Sequence, residues 1–284
     1  MGKNTTENSK KLYKTYIFDY YGTLVDIKTD ESKPELWKHL AGIYSAYGAD
    51  YTPEELQKKY SELCEAEEAH LRKILKVWEP NMELEYPEIL LERVFARLLT
   101  EAENHHETAA TIEGKPVRLL SADDIADSEW AYMVSNTFRI ISREWYRCYP
   151  NTISTLKTLK ENGCKLYLLS NAQGIFTRTE LEMAGVLPYL DGVYISSDKQ
   201  IKKPQPEFME KLIKEFDIDR ESAVMVGNEM KCDMGIAAAC GLPGVFLNTF
   251  GWSDKKIEEE MKKINVTTKN VRVVADGDIA HLLD

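Results

Sequence analysis

Short apolar runs alternate with amphipathic segments through the second half of the chain, and this alternation restricts the fold more than any other feature. Ile153, Leu156 and Leu159 have helical spacing, Gly163 marks a helix stop, and Lys165-Leu166-Tyr167-Leu168-Leu169 is an apolar run ending at Ser170-Asn171. Gly192-Val193-Tyr194-Ile195 reads as a strand, and Phe208, Leu212 and Phe216 as a helix face. Ala223-Val224-Met225-Val226 then ends at Gly227, a small-residue helix covers Ile236 to Ala239, and Val245-Phe246-Leu247 follows. Val271 to Val274 adds an edge strand. Strands apolar along their whole length and separated by helices predict an α/β fold of Rossmann-like order, a parallel sheet covered on both faces.

Residues 27–148 follow a different period. Leu36, Leu40, Ile43 and Tyr47 form one helical stripe, and Leu91, Phe95 and Leu98 another. Thr52-Pro53-Glu54-Glu55 combines an N-cap, a first-turn proline and a glutamate three residues after the cap, with Leu56, Tyr60 and Leu63 continuing the helix. Trp130, Val134, Phe138, Ile141 and Trp145 read as one long stripe. The pattern predicts an all-helical module over 27–148, inserted after the first strand of a core made from 12–26 and 149–284. Residues 1–11 are polar, lack the apolar segment of a signal peptide, and are expected to form a flexible tail.

The 284 residues are 43% hydrophobic and carry a formal net charge of −11, which disfavours a general nucleic-acid or anionic-membrane surface. A local lysine or metal can still reverse the field in a cleft, so an anionic small-molecule substrate is compatible with this charge. The five cysteines are scattered without a C-x-x-C pair, and a reducing cytoplasmic setting is expected.

Four chemistry-bearing pieces lie at or just beyond the ends of expected strands. The first is Asp19-Tyr20-Tyr21-Gly22-Thr23, directly after the apolar run Tyr16-Ile17-Phe18. The others are Ser170-Asn171, Lys203-Pro204, and the segment Gly227-Asn228-Glu229-Met230-Lys231-Cys232-Asp233. Strand ends of a parallel sheet open on one edge, so a nucleophilic carboxylate, hydroxyl and amide donors, an ammonium and a distal carboxylate pair can converge there into a phosphoryl-transfer site. Each piece also has a plainer reading: Asp19 as a turn cap, Ser170-Asn171 as a helix cap, Lys203 as a surface lysine, Asn228-Glu229 as loop residues.

In order, spacing and strand context the four pieces resemble those of haloacid dehalogenase (HAD) superfamily hydrolases whose helical cap follows the first strand. The resemblance implies that Asp19 is the nucleophile, that Thr23, Ser170 and Asn171 belong to the site, and that Ser170 hydrogen-bonds the transferring group. It further implies that Lys203 neutralises that group and restrains Asp19. Mg²⁺ would lie between Asp19, the Tyr21 carbonyl and the segment Asn228–Asp233. Two positions depart from the usual phosphatase pattern. Tyr21 stands where an acid/base aspartate is expected, and Asn228 replaces the first acid of the fourth motif. Asn228 can still offer an uncharged oxygen, and Glu229 could compensate directly or through water.

The Tyr21 replacement divides the functional readings. Tyr21 is either an apolar wall with only its carbonyl in use, or a weak proton donor of ordinary pKa about 10. Expelling an alkoxide from a phosphate ester needs a proton, whereas expelling a halide does not. The expected function is a Mg²⁺-dependent phosphatase acting on a small phosphorylated metabolite. The alternatives are a 2-haloacid dehalogenase-like enzyme and a weakly active binding or regulatory protein on the same fold. Those dehalogenases place an arginine early in the cap. This chain has none between Asp19 and Arg72, which leaves Arg72, Arg93 or Arg143 as spatial replacements.

Overall fold

The structure is a computed structural model that describes residues 13–284; the expected tail at 1–11 lies outside the described residues. The main sheet is built from β1 (Thr15–Phe18), β4 (Lys165–Ser170), β5 (Gly192–Ile195), β6 (Ala223–Gly227), β7 (Gly244–Leu247) and β8 (Val271–Val274). Its spatial order is β8-β7-β6-β1-β4-β5, and every pairing is parallel. The apolar runs are continuous because both faces are buried. Tyr16, Phe18, Leu166 and Leu168 pack into one cluster, while Ile17, Tyr167 and Leu169 pack into another on the opposite face. The expected edge strand is present as β8, with α6 (Thr152–Glu161) before β4 and α7 (Gly174–Met183) after it.

The insertion has its own core. It comprises α1 (Pro34–Ala46), α2 (Pro53–Trp78), α3 (Leu91–Thr100), α4 (Ala122–Ala126) and α5 (Glu129–Ser142). Leu36, Trp37, Leu40, Phe95, Trp130 and Phe138 meet in one buried cluster. The predicted start of α2 is a complete capping box. Glu55 N–H donates to Thr52 Oγ1 at 3.2 Å, and Thr52 N–H donates to the Glu55 carboxylate at 2.8 Å. Two two-residue strand pairs, 49–50 with 104–105 and 111–112 with 115–116, interrupt the expected all-helical character.

The long stripe ending at Trp145 is corrected by the structure. Helix α5 stops at Ser142, and Arg143 already has extended backbone angles, φ −75° and ψ 129°. Trp145 lies on β3 (Arg143–Cys148), which pairs antiparallel with β2 (Val25–Thr29). Ladder pairing wins over helix continuation because aromatic side chains on β3 find cross-strand neighbours, as Tyr146 does in Ile27. Trp145 is 40% exposed and donates to Asp26 at 3.0 Å. This ribbon crosses the first expected domain junction, ends at the second, and links core to insertion.

A second junction lies between α2 and α3. Gln205 Oε1 accepts from the N–H groups of Glu85 and Tyr86 at 3.1 and 3.3 Å, and Gln205 Nε2 donates to the Glu83 carbonyl at 3.1 Å. Gln173 Oε1 accepts from Leu91 N–H at 3.1 Å, and its Nε2 donates to the Ile89 carbonyl at 3.0 Å. Leu71 and Leu75, at the far end of α2, join a buried cluster of the core.

Candidate active site

Asp19 follows β1 directly, and its N–H donates to the Val226 carbonyl of neighbouring β6 at 2.9 Å. The next turn needs Gly22. Its φ is +79°, and a Cβ there would fall 2.1 Å from Asn228 Nδ2. Gly227 is equally tightly placed, since a Cβ on it would meet Asp233 Oδ2 at 2.1 Å. The first close approach brings the first and fourth motifs together, and the second folds the fourth motif back on itself. Thr23 Oγ1 bridges the two motifs, 3.3 Å from Asp19 Oδ2 and 3.2 Å from Asn228 Oδ1.

Lys203 lies at the centre. Its Nζ donates to Asp19 Oδ1 at 2.6 Å and to Asp233 Oδ1 at 2.7 Å. Lys203 is 2% exposed, Asp19 6% and Asp233 0%, so it is no surface lysine. Asn171 fixes its backbone from both sides. Lys203 N–H donates to Asn171 Oδ1 at 2.8 Å, and Asn171 Nδ2 donates to the Lys203 carbonyl at 3.0 Å. Burial opposes the ammonium charge, yet the two carboxylates hold the Lys203 pKa above the ordinary lysine range. Burial pushes the Asp233 carboxyl above the ordinary range, opposed by Lys203 and reinforced by the Asp19 charge that shares the same cation. Ser170 ends β4 beside β1. Its hydroxyl and Asn228 Nδ2 are buried without a hydrogen-bond partner.

Glu229 stands apart. Its N–H donates to Asp233 Oδ2 at 2.8 Å, but the residue is exposed, and its carboxylate lies against Cys232. Among the described residues, no three His, Cys, Asp or Glu side chains are grouped to hold a metal, so Glu229 does not complete an acidic set with Asp19 and Asp233.

The Tyr21 hydroxyl is committed elsewhere. It donates to Glu180 Oε2 at 2.5 Å and lies 2.9 Å from Thr177 Oγ1, both residues on α7. Glu180 is 2% exposed. Its Oε1 accepts from Arg139 Nε at 2.8 Å and Arg143 Nη1 at 3.2 Å, and its Oε2 accepts from Arg139 Nη2 at 3.1 Å. The Arg139 guanidinium also covers the Tyr21 ring, 5.0 Å from its centroid. Burial drives the Tyr21 phenol well above its ordinary pKa, opposed by Arg139 and reinforced by the Glu180 charge. The Glu180 carbonyl accepts from the hydroxyls of Tyr20 and Tyr146.

Sequence reasoning missed Glu180, Arg139 and Thr177. A glutamate within a helix reads as solvent-facing, and its arginine partners lie 41 and 37 positions earlier. The three candidate substrate arginines are all engaged. Arg72 binds Glu68 and the Leu84 carbonyl, Arg93 binds Glu67 and Asp123, and Arg143 binds Glu180. A cavity of about 990 Å³ opens inside the insertion beside Tyr47, Leu99, His105 and Arg118, and none of the motif residues lines it.

Comparison with known proteins adds to this geometry. A family profile described as haloacid dehalogenase-like hydrolase matches residues 13–241. A glyceraldehyde 3-phosphate phosphatase of Methanothermobacter thermautotrophicus is 28% identical over 131 residues, covering 46% of this chain and 58% of that protein. A phosphoglycolate phosphatase of Escherichia coli K12 is 28% identical over 170 residues, 58% of this chain and 64% of that protein. The chain thus spans about half the length of these curated relatives. Among solved structures, a 2-haloacid dehalogenase from Pseudomonas syringae superposes with a TM-score of 0.54 at 19% identity, covering 88% of this chain and 99% of that one. That likeness establishes a shared fold.

Proposed function

The chain belongs to the haloacid dehalogenase-like hydrolases, and from that premise we propose that it is a Mg²⁺-dependent phosphatase acting on a small phosphorylated metabolite. The observation that carries this reading is the buried Lys203 ammonium bound to both Asp19 and Asp233. Asp19 Oδ1 is held by Lys203 at 2.6 Å, while Oδ2 has only the 3.3 Å contact with Thr23 and is the oxygen free to attack phosphorus. Ser170 Oγ, buried and unpartnered, is the natural donor to a phosphoryl oxygen. The phosphatase names of the relatives agree with this choice.

The residues present fit a hard cation. The Asp19 and Asp233 carboxylates, the Asn228 amide oxygen and the Tyr21 carbonyl are all oxygen donors, and one ammonium leaves two buried carboxylates with excess negative charge. Mg²⁺ held there would screen the phosphoryl group's charge from the carboxylate that attacks it. With Asn228 neutral and Glu229 turned to Cys232, binding should be weak.

A second reading, C–halogen hydrolysis, is favoured by the tyrosine at position 21 and opposed by the engagement of Arg72, Arg93 and Arg143. One experiment separates the two. Purified protein is assayed with and without Mg²⁺ for phosphate release from a panel of phosphorylated metabolites and for halide release from 2-haloacids. Metal-dependent phosphate release supports the phosphatase; halide release without phosphate release replaces it.

A further inference from the structure

Position 21 is where this fold would place the group that protonates a departing oxygen, and its hydroxyl is not available for that task. It donates to Glu180 at 2.5 Å. Glu180 is not placed to substitute as a donor, because both its oxygens already accept, from the Arg139 and Arg143 guanidinium groups and from the Tyr21 hydroxyl. The covering Arg139 keeps the ring in place from the other side. Thr177, the phenol's second neighbour, is fully buried against the same cluster. In the separate Lys203 cluster, both oxygens of Asp233 accept, one from Lys203 and the other from Glu229 N–H.

Resting on the phosphatase reading, we infer that this site turns over phosphoryl donors whose leaving group departs as a stable anion, namely acyl phosphates and phosphoric anhydrides, rather than alkyl phosphate monoesters. The chemistry balances without a proton donor. Asp19 Oδ2 forms a bond to phosphorus while the bond from phosphorus to the leaving oxygen breaks, and that oxygen takes the electron pair as a carboxylate or phosphate. Water then attacks the aspartyl phosphate, giving inorganic phosphate, returning the Asp19 carboxylate and releasing a proton to solvent.

The test uses the full chain with Mg²⁺ and reads kcat/KM, which reports the first transfer. One arm is a set of aryl phosphates of similar shape and graded phenol acidity. The second compares acetyl phosphate, inorganic pyrophosphate and glycerol 1-phosphate. General acid catalysis typically contributes about 10²–10⁴-fold, so its lack should leave glycerol phosphate at least about 10²-fold below acetyl phosphate or pyrophosphate, and the aryl series should rise steeply as the phenol becomes more acidic. Acetyl phosphate against pyrophosphate tells which of the two donors is used. Glycerol phosphate within about tenfold of both, with a flat aryl series, overturns the inference and leaves the phosphatase reading standing. Phosphate release from none of them removes both.

Discussion

Asp19 and Tyr21 are two residues apart, and their side chains enter opposite charge arrangements. At Asp19 a single ammonium serves two buried carboxylates; at Tyr21 a single buried carboxylate serves two guanidiniums and a phenol. The first cluster lacks positive charge and presents a loosely held carboxylate oxygen and an unpartnered serine hydroxyl. The second joins the loop to α5 and α7 and has its acceptors filled. Incomplete satisfaction marks the place where a ligand contributes, and completed satisfaction marks a joint. Family resemblance alone would have treated both positions as chemistry.

The sharpest break is at Asp19. Asp19→Asn should lower turnover by at least about 10³-fold, since the amide is close in shape but a poor nucleophile. Its circular dichroism should match the parent; substantial turnover in a homogeneous preparation would remove Asp19 from the chemistry. Next come the two charge centres. Lys203→Met leaves two buried carboxylates together and Glu180→Gln leaves two guanidiniums short of charge, so each should cost about 3–5 kcal/mol in urea unfolding. Only Glu180→Gln should also speed proteolysis at the boundary between α5 and the core. Equal susceptibility in both variants would erase the distinction between site and joint.

Tyr21→Asp sharpens the comparison by a smaller amount. Placing an acid beside Asp19 should raise kcat/KM for alkyl phosphates by about 10²-fold and change nitrophenyl phosphate far less, because nitrophenolate leaves unaided. Parallel gains for both classes, measured on folded protein, would show that position 21 limits something other than proton supply. Thr177→Val is the mildest change. It removes one contact to the Tyr21 hydroxyl and should cost about 0.5–1.5 kcal/mol in stability while leaving the ratio between the two phosphate classes untouched. A shift in that ratio would place Thr177 in the chemistry.

The sheet strands, the capping box at Thr52 and the convergence of Asp19, Lys203 and Asp233 were legible in the residues, because each follows from a local pattern or from strand ends sharing one edge. Asn171 was legible as a position but not as an anchor of the Lys203 backbone. Trp145 was misread because a helical period can run on by chance past a chain reversal, and only the pairing with β2 shows the switch to a strand. The Glu180 cluster had no local signature at all. Burial of a charged helix residue is decided by which helices meet, and the contact of α5 with α7 is a tertiary fact.

The two glutamines at the second junction carry a consequence for motion. The insertion is tied covalently to the core through the β2–β3 ribbon and non-covalently through the Glu180 cluster at one side and Gln173 and Gln205 at the other, which closes it into a loop of contacts. Swinging it away on the ribbon requires those amide contacts to part first. The backbone amides of Glu85, Tyr86 and Leu91 therefore become a clock: their exchange with solvent deuterium times the opening, and a shared rate identifies it as one event. Ion pairs cross the same junction, Glu79 with Lys211 at 2.8 Å and Glu88 with Lys202 at 3.6 Å, so that clock should run faster in high salt than in dilute buffer.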